Sequence, residues 1–311
     1  MEIAQLRTLL HVAELGSLSK AADHVGLAQP GLSRQIRALE TELKVRLFDR
    51  HGRGMVLTET GRRILISANA ILDEVDTIRQ IADESCVSFE GCVRFGMTPT
   101  VAEIMTVPLV RQIKLAHPGI SLCISSAFSG HVLDWLKRDL LDCCVSYDNE
   151  SAGAVRSRPI LVEKLLLVGN AARGLRMDRP VSFSSLKDEL LILPSPLHGL
   201  RRNIDSCAMR AGVTLSPHIE ADSLNGMIDL VLGGLGCTVL PLAPIYSRIA
   251  AGELTSCPLV DPEPSRHVVI TYPVDRPVSP ATRFAVQVFA SIAAKLVKKG
   301  IWKGHLVSHE D

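Results

Sequence analysis

The sequence predicts an α/β protein made of a small helical head, one long connecting helix and a larger body of strands alternating with helices. Three observations carry this expectation. Between Glu2 and Leu43, three stretches hold apolar residues at helical spacing. Thr60 to Ala82 runs without proline and without glycine beyond its first turn. From Cys92 onward the order becomes β-α-β-α-β, the pattern of a parallel sheet with crossover helices. A chain of 311 residues fits about two domains, at ~100–200 residues each.

The head begins with a helix from Glu2 to Leu15, whose Ile3, Leu6, Leu9, Leu10 and Ala13 face its neighbours. Ser19 to Val25 reads as a short second helix, with Ser19 as its cap and Ala21, Ala22 and Val25 on one face. Gly26 breaks it, as a tight turn between helices does. Pro30 opens a third helix, because a first-turn proline loses no intrahelical hydrogen bond. Along Pro30 to Leu43, Leu32, Ile36, Leu39 and Leu43 form an apolar stripe, while Ser33, Arg34 and Arg37 lie off it beside Gln29. A row of Gln, Ser and Arg backed by a buried stripe suits the major groove of DNA. Arginine pairs bidentately with guanine and glutamine with adenine, and a hydroxyl reaches phosphate or a base edge. A solvated helical hairpin would show the same periodicity.

The following residues separate the two readings. Arg46-Leu47-Phe48-Asp49-Arg50 leads through Gly52-Arg53-Gly54 into Met55-Val56-Leu57-Thr58. Two short apolar-bearing segments around a glycine-flanked arginine make a small β-wing, with Arg53 at its tip placed for a narrow minor groove. AADHVGLAQPGLSRQIRALETELKVRLFDR, followed by LTETGRRIL, resembles the winged helix-turn-helix signature of LysR-type transcriptional regulators. The resemblance covers roughly the first 65 residues. It implies double-stranded DNA as partner, with contacts from Gln29, Pro30, Ser33, Arg34, Arg37, Arg50 and Arg53.

Charge is consistent with a local nucleic-acid site. The net charge is only +1, so there is no global basic signal, yet residues 1–65 hold more Lys and Arg than Asp and Glu. The N-terminus lacks the pattern of an export leader, and no apolar run approaches the ~18–20 residues that cross a bilayer. A soluble cytoplasmic protein without membrane contact is expected.

In the connecting helix, Ile64, Ala68, Ile71, Val75, Ile78 and Ala82 alternate steps of four and three, a heptad seam spaced for a partner helix. Packing on its own domain is the alternative. The resemblance implies that this helix pairs two chains, in a homodimer that assembles as a dimer of dimers. The expected organisation is 1–59 for the winged head, 60–90 for the linker helix and hinge, and 91–311 for the body.

In the body, Cys92 to Met97, Ile120 to Ala127 and Cys143 to Tyr147 read as strands, with helices at Val101 to His117 and His131 to Leu141. Ile160 to Val168 is a strand able to carry the chain into a second lobe. That lobe holds strands at Leu190 to Leu193, Leu215 to Ala221 and Cys237 to Leu240, and helices at Gly199 to Ala211 and Leu224 to Leu232. DPEPSR, residues 261–266, is a second crossing. His267 to Tyr272 returns as a strand, and Ala281 to Lys299 closes the body; the tail to Asp311 carries no readable site. Strand alternation permits several α/β arrangements. The resemblance implies one, a periplasmic-binding-protein-like effector domain with one lobe at about 91–160 and 267–300 and the other at about 161–266.

A cleft between such lobes is built from loops after strands, where helix N-termini present amides to anions. Gly96-Met97-Thr98-Pro99-Thr100, Ser125 to Gly130 and Pro194 to Gly199 qualify. The resemblance implies that Thr98, Thr100, Ser129 and the segment around Ser195 contact a small effector, often a carboxylate. Ser126-Ala127 departs from the acidic residue and glycine common in that family. His198 is the histidine nearest this cleft.

Catalysis has no sequence support. There is no GxSxG elbow, P-loop, HExxH or glycine-rich dinucleotide fingerprint, and no cofactor is implied. Cysteines at 86, 92, 123, 143, 144, 207, 237 and 257 form no CxxC pair and lack zinc-ligand spacing. Most read as buried free thiols. Cys207, beside Arg201, Arg202 and Arg210, is the candidate for a redox switch. The leading expectation is an effector-responsive transcription factor and not an enzyme. The alternative is a small-molecule binding protein or redox sensor on the same scaffold.

Overall fold

A computed structural model of the chain describes residues 1–26, 28–51, 54–84, 90–147, 155–274 and 276–307. The head consists of α1 (Ile3–Leu15), α2 (Leu18–Val25), α3 (Gln29–Leu43), an antiparallel hairpin of β1 (Phe48–His51) and β2 (Gly54–Leu57), and the start of α4 (Glu59–Glu84). Its core gathers Leu6, Leu9, Leu10, Val12, Ala21, Ala22, Leu32, Ile36, Leu39, Leu47, Phe48, Ala68 and Leu72. The α3 stripe is therefore buried as its spacing requires, with Leu43 partly so. Ile3 differs from expectation and is 42% exposed, at the first turn of α1.

Two local features of the head depart from the sequence reading. The cap of α2 is Ser17, whose side chain accepts the Lys20 N–H, and not Ser19. The helix starts one residue earlier than expected, so Ser19 sits inside it and its hydroxyl donates to Gln29 Oε1 at 3.2 Å. The wing rests on the first turn. Met55 N–H donates to Gly16 O at 2.8 Å, and a Cβ on Gly54 would lie 2.4 Å from that same oxygen, so only glycine permits the contact.

The heptad seam of α4 divides in two. Ala68 is buried and Ile64 partly buried against the chain's own head, as in the alternative reading. Farther on, Ile71 is 40% and Ile78 61% exposed, and Val75 is half-buried. Ala82's side chain lies outside the described residues.

The body follows as β3 (Gly91–Met97), α5 (Pro99–Ala116), β4 (Ile120–Ser126), α6 (Ser129–Lys137), β5 (Cys143–Tyr147), β6 (Val155–Asn170), β7 (Val181–Ser182), β8 (Ile192–Leu193), α7 (Gly199–Arg210), β9 (Ile219–Glu220), α8 (Leu224–Leu232), β10 (Thr238–Pro241), α9 (Tyr246–Ala250), β11 (Leu254–Val260), β12 (Ser265–Pro273), α10 (Pro280–Lys298) and β13 (Gly304–Leu306). The sheet order is β4-β3-β5-β12-β6-β11-β7, with β10 and β13 also pairing to β6. β3 lies parallel to β4 and β5, while β12 runs antiparallel to β5 and β6.

β6 is the spine of the body. Up to Lys164 it pairs with β12, and from Leu165 it pairs with β10 and β11. Two apolar cores lie on either side of this change of partner. One runs from Val93 through Phe95, Met105, Ile270 and Phe289 to Trp302, and the other spans Leu165 to Leu259. The body is thus two-lobed, and the chain crosses between lobes at residues 164–165 and again just before β12.

Several elements differ from their expected bounds. α6 ends at Lys137, not Leu141, because Asp139 turns into the left-handed region at φ 59°. Arg94 pins that turn through the Asp139 carbonyl, its carboxylate at 3.0 Å and Asp142 at 2.6 Å. The expected strands at 190–193 and 215–221 shrink to two residues each. β11 was not expected, since Pro258 interrupts its alternation. The tail is structured where no role was legible: Trp302 is 1% exposed and β13 pairs with residues 161–163 of β6. Among the described residues, no helix is long and apolar enough to cross a membrane.

Candidate DNA-reading face and effector cavity

Burial of Leu32, Ile36 and Leu39 turns the other side of α3 outward. Gln29, Pro30, Arg34 and Arg37 are exposed and Ser33 is half-buried. Pro30 lies in the first turn and Ser19 holds the Gln29 amide. The wing is tied to this helix, because Glu40 Oε1 accepts from Leu47 N–H at 2.8 Å and Phe48 N–H at 3.3 Å. Arg50 falls on β1, but its side chain lies outside the described residues, as does Arg53 entirely.

The five residues expected at the effector, Thr98, Thr100, Ser129, Ser195 and His198, line one cavity of about 520 Å³ between the two lobes. Thr98 and Thr100 bracket Pro99 at the start of α5, and Ser129 opens α6. Neither helix has a side-chain cap, so both present the positive end of their dipoles to the cavity. Thr98 is 2% exposed, and its hydroxyl lies beside the Tyr147 phenol. Ser129 Oγ accepts the Tyr147 N–H at 3.3 Å, which leaves its own proton free to donate.

The floor contains groups that sequence reasoning missed. Arg266 is 4% exposed, stacks 3.4 Å above the Tyr147 ring and donates through Nη2 to Thr100 Oγ1 at 3.3 Å. Thr100 and Tyr147 share a hydroxyl–hydroxyl hydrogen bond. Two hydroxyls joined by one bond retain one proton, so the pair is a donor towards the cavity it lines. Burial pushes the Tyr147 phenol up to about 12, which keeps that proton in place at neutral pH. Behind Arg266, Glu163 Oε2 accepts from Nε at 2.7 Å, and Glu163 Oε1 accepts from Trp302 Nε1 at 2.7 Å. The sequence signal for Glu163 was a Glu-Lys pair interrupting the apolar run ILVEKLLLV. Arg266 offered only its place at a lobe crossing.

The opposite wall is different in kind. Leu200, Leu224, Met227 and Leu240 face the cavity from the second lobe. His198 caps α7 by accepting the Leu200 N–H at Nδ1, 3.0 Å, and packs edge-on against Phe128 of the first lobe with ring centres 4.3 Å apart. Burial, and then the Arg266 charge, lower its pKa to about 4, so it is neutral at physiological pH. Ser195 N–H donates to Asp222 Oδ1 at 2.9 Å, which holds that carboxyl below its ordinary value. Arg201 braces the 194–199 loop through the Pro194 carbonyl, Asp205 and Glu220.

Arg201 therefore does not serve Cys207, as the redox reading required. Cys207 is 1% exposed and accepts only from Arg210 among the described contacts, at 3.0 Å. Burial raises the thiols of Cys144 and Cys237 to about 12 and that of Cys143 well above its ordinary value. Cys92 and Cys123 are exposed, and no described cysteine lines the cavity.

Comparison with known proteins places this architecture. Residues 3–62 match the family of bacterial regulatory helix-turn-helix proteins of the lysR type, and residues 87–293 match the LysR substrate binding domain. The hydrogen peroxide-inducible genes activator of Dickeya chrysanthemi is 30% identical over 281 residues, covering 90% of this chain and 91% of its own. The DNA-binding transcriptional dual regulator OxyR of Escherichia coli K12 is 27% identical, covering 95% and 96%. Full-length BenM aligns with a TM-score of 0.57 at 26% identity, covering 95% and 97%. Oxidised OxyR of Corynebacterium glutamicum shares the fold, with a TM-score of 0.63 at 24% identity and coverage of 96% and 95%. With the reading head and the two-lobed body both matched in order, the chain belongs to the LysR family and is a DNA-binding transcriptional regulator with an effector-binding domain.

Proposed function

We propose that this regulator acts in the cytoplasm and responds to a small effector bearing a carboxylate or similar oxyanion, bound between the lobes. The carrying observation is the donor-lined cavity. Two uncapped helix N-termini, the Ser129 hydroxyl and the Thr100–Tyr147 pair all offer hydrogens to one space. Ser195 and His198 close it from the second lobe, so effector binding favours one lobe arrangement and shifts how the heads sit on DNA. Gln29, Pro30, Ser33, Arg34 and Arg37 contact the major groove, with Arg50 and Arg53 contributing from the wing. The exposed part of the α4 seam pairs two chains, and two dimers form the operator-bound tetramer. The working divisions are 1–59, 60–90 and 91–311.

Several relatives are named for a peroxide response, and the buried thiols of the body do not suit one. A thiol that senses peroxide must be reachable and partly ionised; burial holds Cys143, Cys144 and Cys237 protonated, and no described cysteine lines the cavity. The experiment is calorimetry with candidate metabolites on wild type and Thr100→Val, paired with DNA titrations. Thr100→Val weakens effector binding and leaves DNA affinity without effector unchanged. An effector that binds both proteins equally places the site elsewhere.

A further inference from the structure

We infer that Glu163, held in place by the C-terminal tail, sets which anions the cavity accepts, admitting single charges and excluding double ones. The inference rests on the oxyanion reading of the cavity and adds its charge selectivity.

The argument starts from the tail. After α10 the chain turns back so that Lys303 O accepts from Lys164 N–H at 3.0 Å, and Gly304, His305 and Leu306 pair with Glu163, Val162 and Leu161. Gly304 has φ 157°, and a Cβ there would lie 2.1 Å from Val162 O, so glycine alone seats the strand this closely. The turn delivers the Trp302 indole N–H to Glu163 Oε1. Glu163 is 1% exposed and both of its oxygens are engaged, one by Trp302 and one by Arg266.

A buried ion pair is weak evidence for stability, since desolvation offsets its attraction and an apolar pair of similar shape often does as well. Its position suggests another use. Arg266 is the cation at the cavity floor, and Glu163 cancels its charge from behind. The cavity then receives an anion with neutral hydroxyls and helix dipoles, which suffice for one negative charge. A second charge meets no uncompensated floor cation, and Asp134 and Asp222 also line the space. Arg202, the other lining cation, is exposed and screened, as are those two aspartates, so the buried Arg266–Glu163 pair sets the charge balance of the floor.

The test is calorimetry on the full chain at pH 8, with acetate and benzoate as monoanions and inorganic phosphate as the dianion. Wild type should bind a monoanion more tightly than phosphate. Glu163→Gln keeps the side-chain size and removes the charge, at the cost of one of the two accepted hydrogen bonds, because its amide oxygen can serve only one of Trp302 and Arg266. With the Arg266 charge no longer cancelled, the ratio of phosphate to monoanion affinity should rise by about tenfold or more. Trp302→Phe, which loosens Glu163 without removing it, should move the ratio in the same direction by less. Glu163→Asp should stay nearer wild type. A purely structural role for Glu163 would weaken all three ligands together and leave the ratio unchanged, which overturns the inference; so does a wild type that prefers phosphate. If wild type binds none of the three, the oxyanion reading falls as well, and that result is distinct from an unchanged ratio. Thermal unfolding of each variant identifies any that fails to fold, and Trp302→Phe decides the matter if Glu163→Gln does.

Discussion

The DNA-reading head and the effector cavity solve the same problem, presenting polar groups to a ligand, in opposite ways. In the head, one 15-residue helix buries Leu32, Ile36 and Leu39 and thereby exposes Gln29, Arg34 and Arg37. Backing and working residues alternate along a single segment, so helical geometry alone places them. In the cavity, the contacts that position the floor join residues 103, 139 and 166 apart: Arg266 to Glu163, Trp302 to Glu163 and Arg266 to Thr100. No local periodicity specifies such pairs; only the crossing of β6 and β12 does. The head should therefore tolerate changes in the body, and its surface residues should act independently. The cavity should respond as a network.

The largest effect expected is on assembly, and it tests whether the head works alone. Ile71 and Val75 lie on α4 outside the head's buried core. Replacing both with Asp would place charges in the proposed helix pair, where each costs several kcal/mol unless it is paired. Sedimentation should then show a folded monomer. A folded dimer of unchanged affinity would remove this stretch from the interface and leave α4 as a strut.

Next in size is a single base contact. Arg34 is exposed on the outer face of α3, and Arg34→Ala should cost ~1–3 kcal/mol in operator binding and relax specificity at one position. Competition with non-specific DNA checks this. Equal losses on both DNAs would make Arg34 a phosphate contact, since base contacts specify while phosphate contacts only position.

The same contrast explains what the sequence could reveal. The α3 stripe, Gly26 and the two strands of the wing were legible because each rests on a short-range rule, and the helix of 224–232 was placed to the residue. Thr98, Thr100, Ser129, Ser195 and His198 were found because loops after strands and before helices are recognisable locally. Glu163, Arg266 and Trp302 were not, because their meaning depends on partners in distant segments. Short strands failed for a related reason: Ile192–Leu193 and Ile219–Glu220 are defined by pairing with each other and, for the former, with the Cys237 segment, so their flanks carried no sign of where pairing stops. The α2 cap was misplaced by two residues because Ser17 and Ser19 are equally good caps by composition, and only the helix start decides.

The smallest effect expected concerns His198, where the two lobes meet, and it probes whether the cavity behaves as a unit. Its pKa in the folded chain is lowered from 6.5 to about 4, chiefly by burial and then by Arg266. Between these values the unfolded chain carries a proton on this ring and the folded chain does not. Stability from this group is therefore complete above about pH 6.5, declines as pH falls through the window, and declines no further below about 4. His198→Asn preserves an N-cap acceptor for the Leu200 N–H and removes the titration. Thermal midpoints of the two proteins should separate across this window, with wild type losing more on acidification. The gap should reach several degrees near pH 4, as 1 kcal/mol moves the midpoint of a 150–250-residue domain by about 2–4 °C, and the partial exposure of the ring keeps it below what the full fall to about 4 would give. Parallel curves would mean that His198 titrates in the folded chain as it does unfolded. The edge-on contact with Phe128 would then open readily enough to admit water, and the lobes would meet there without sealing the cavity.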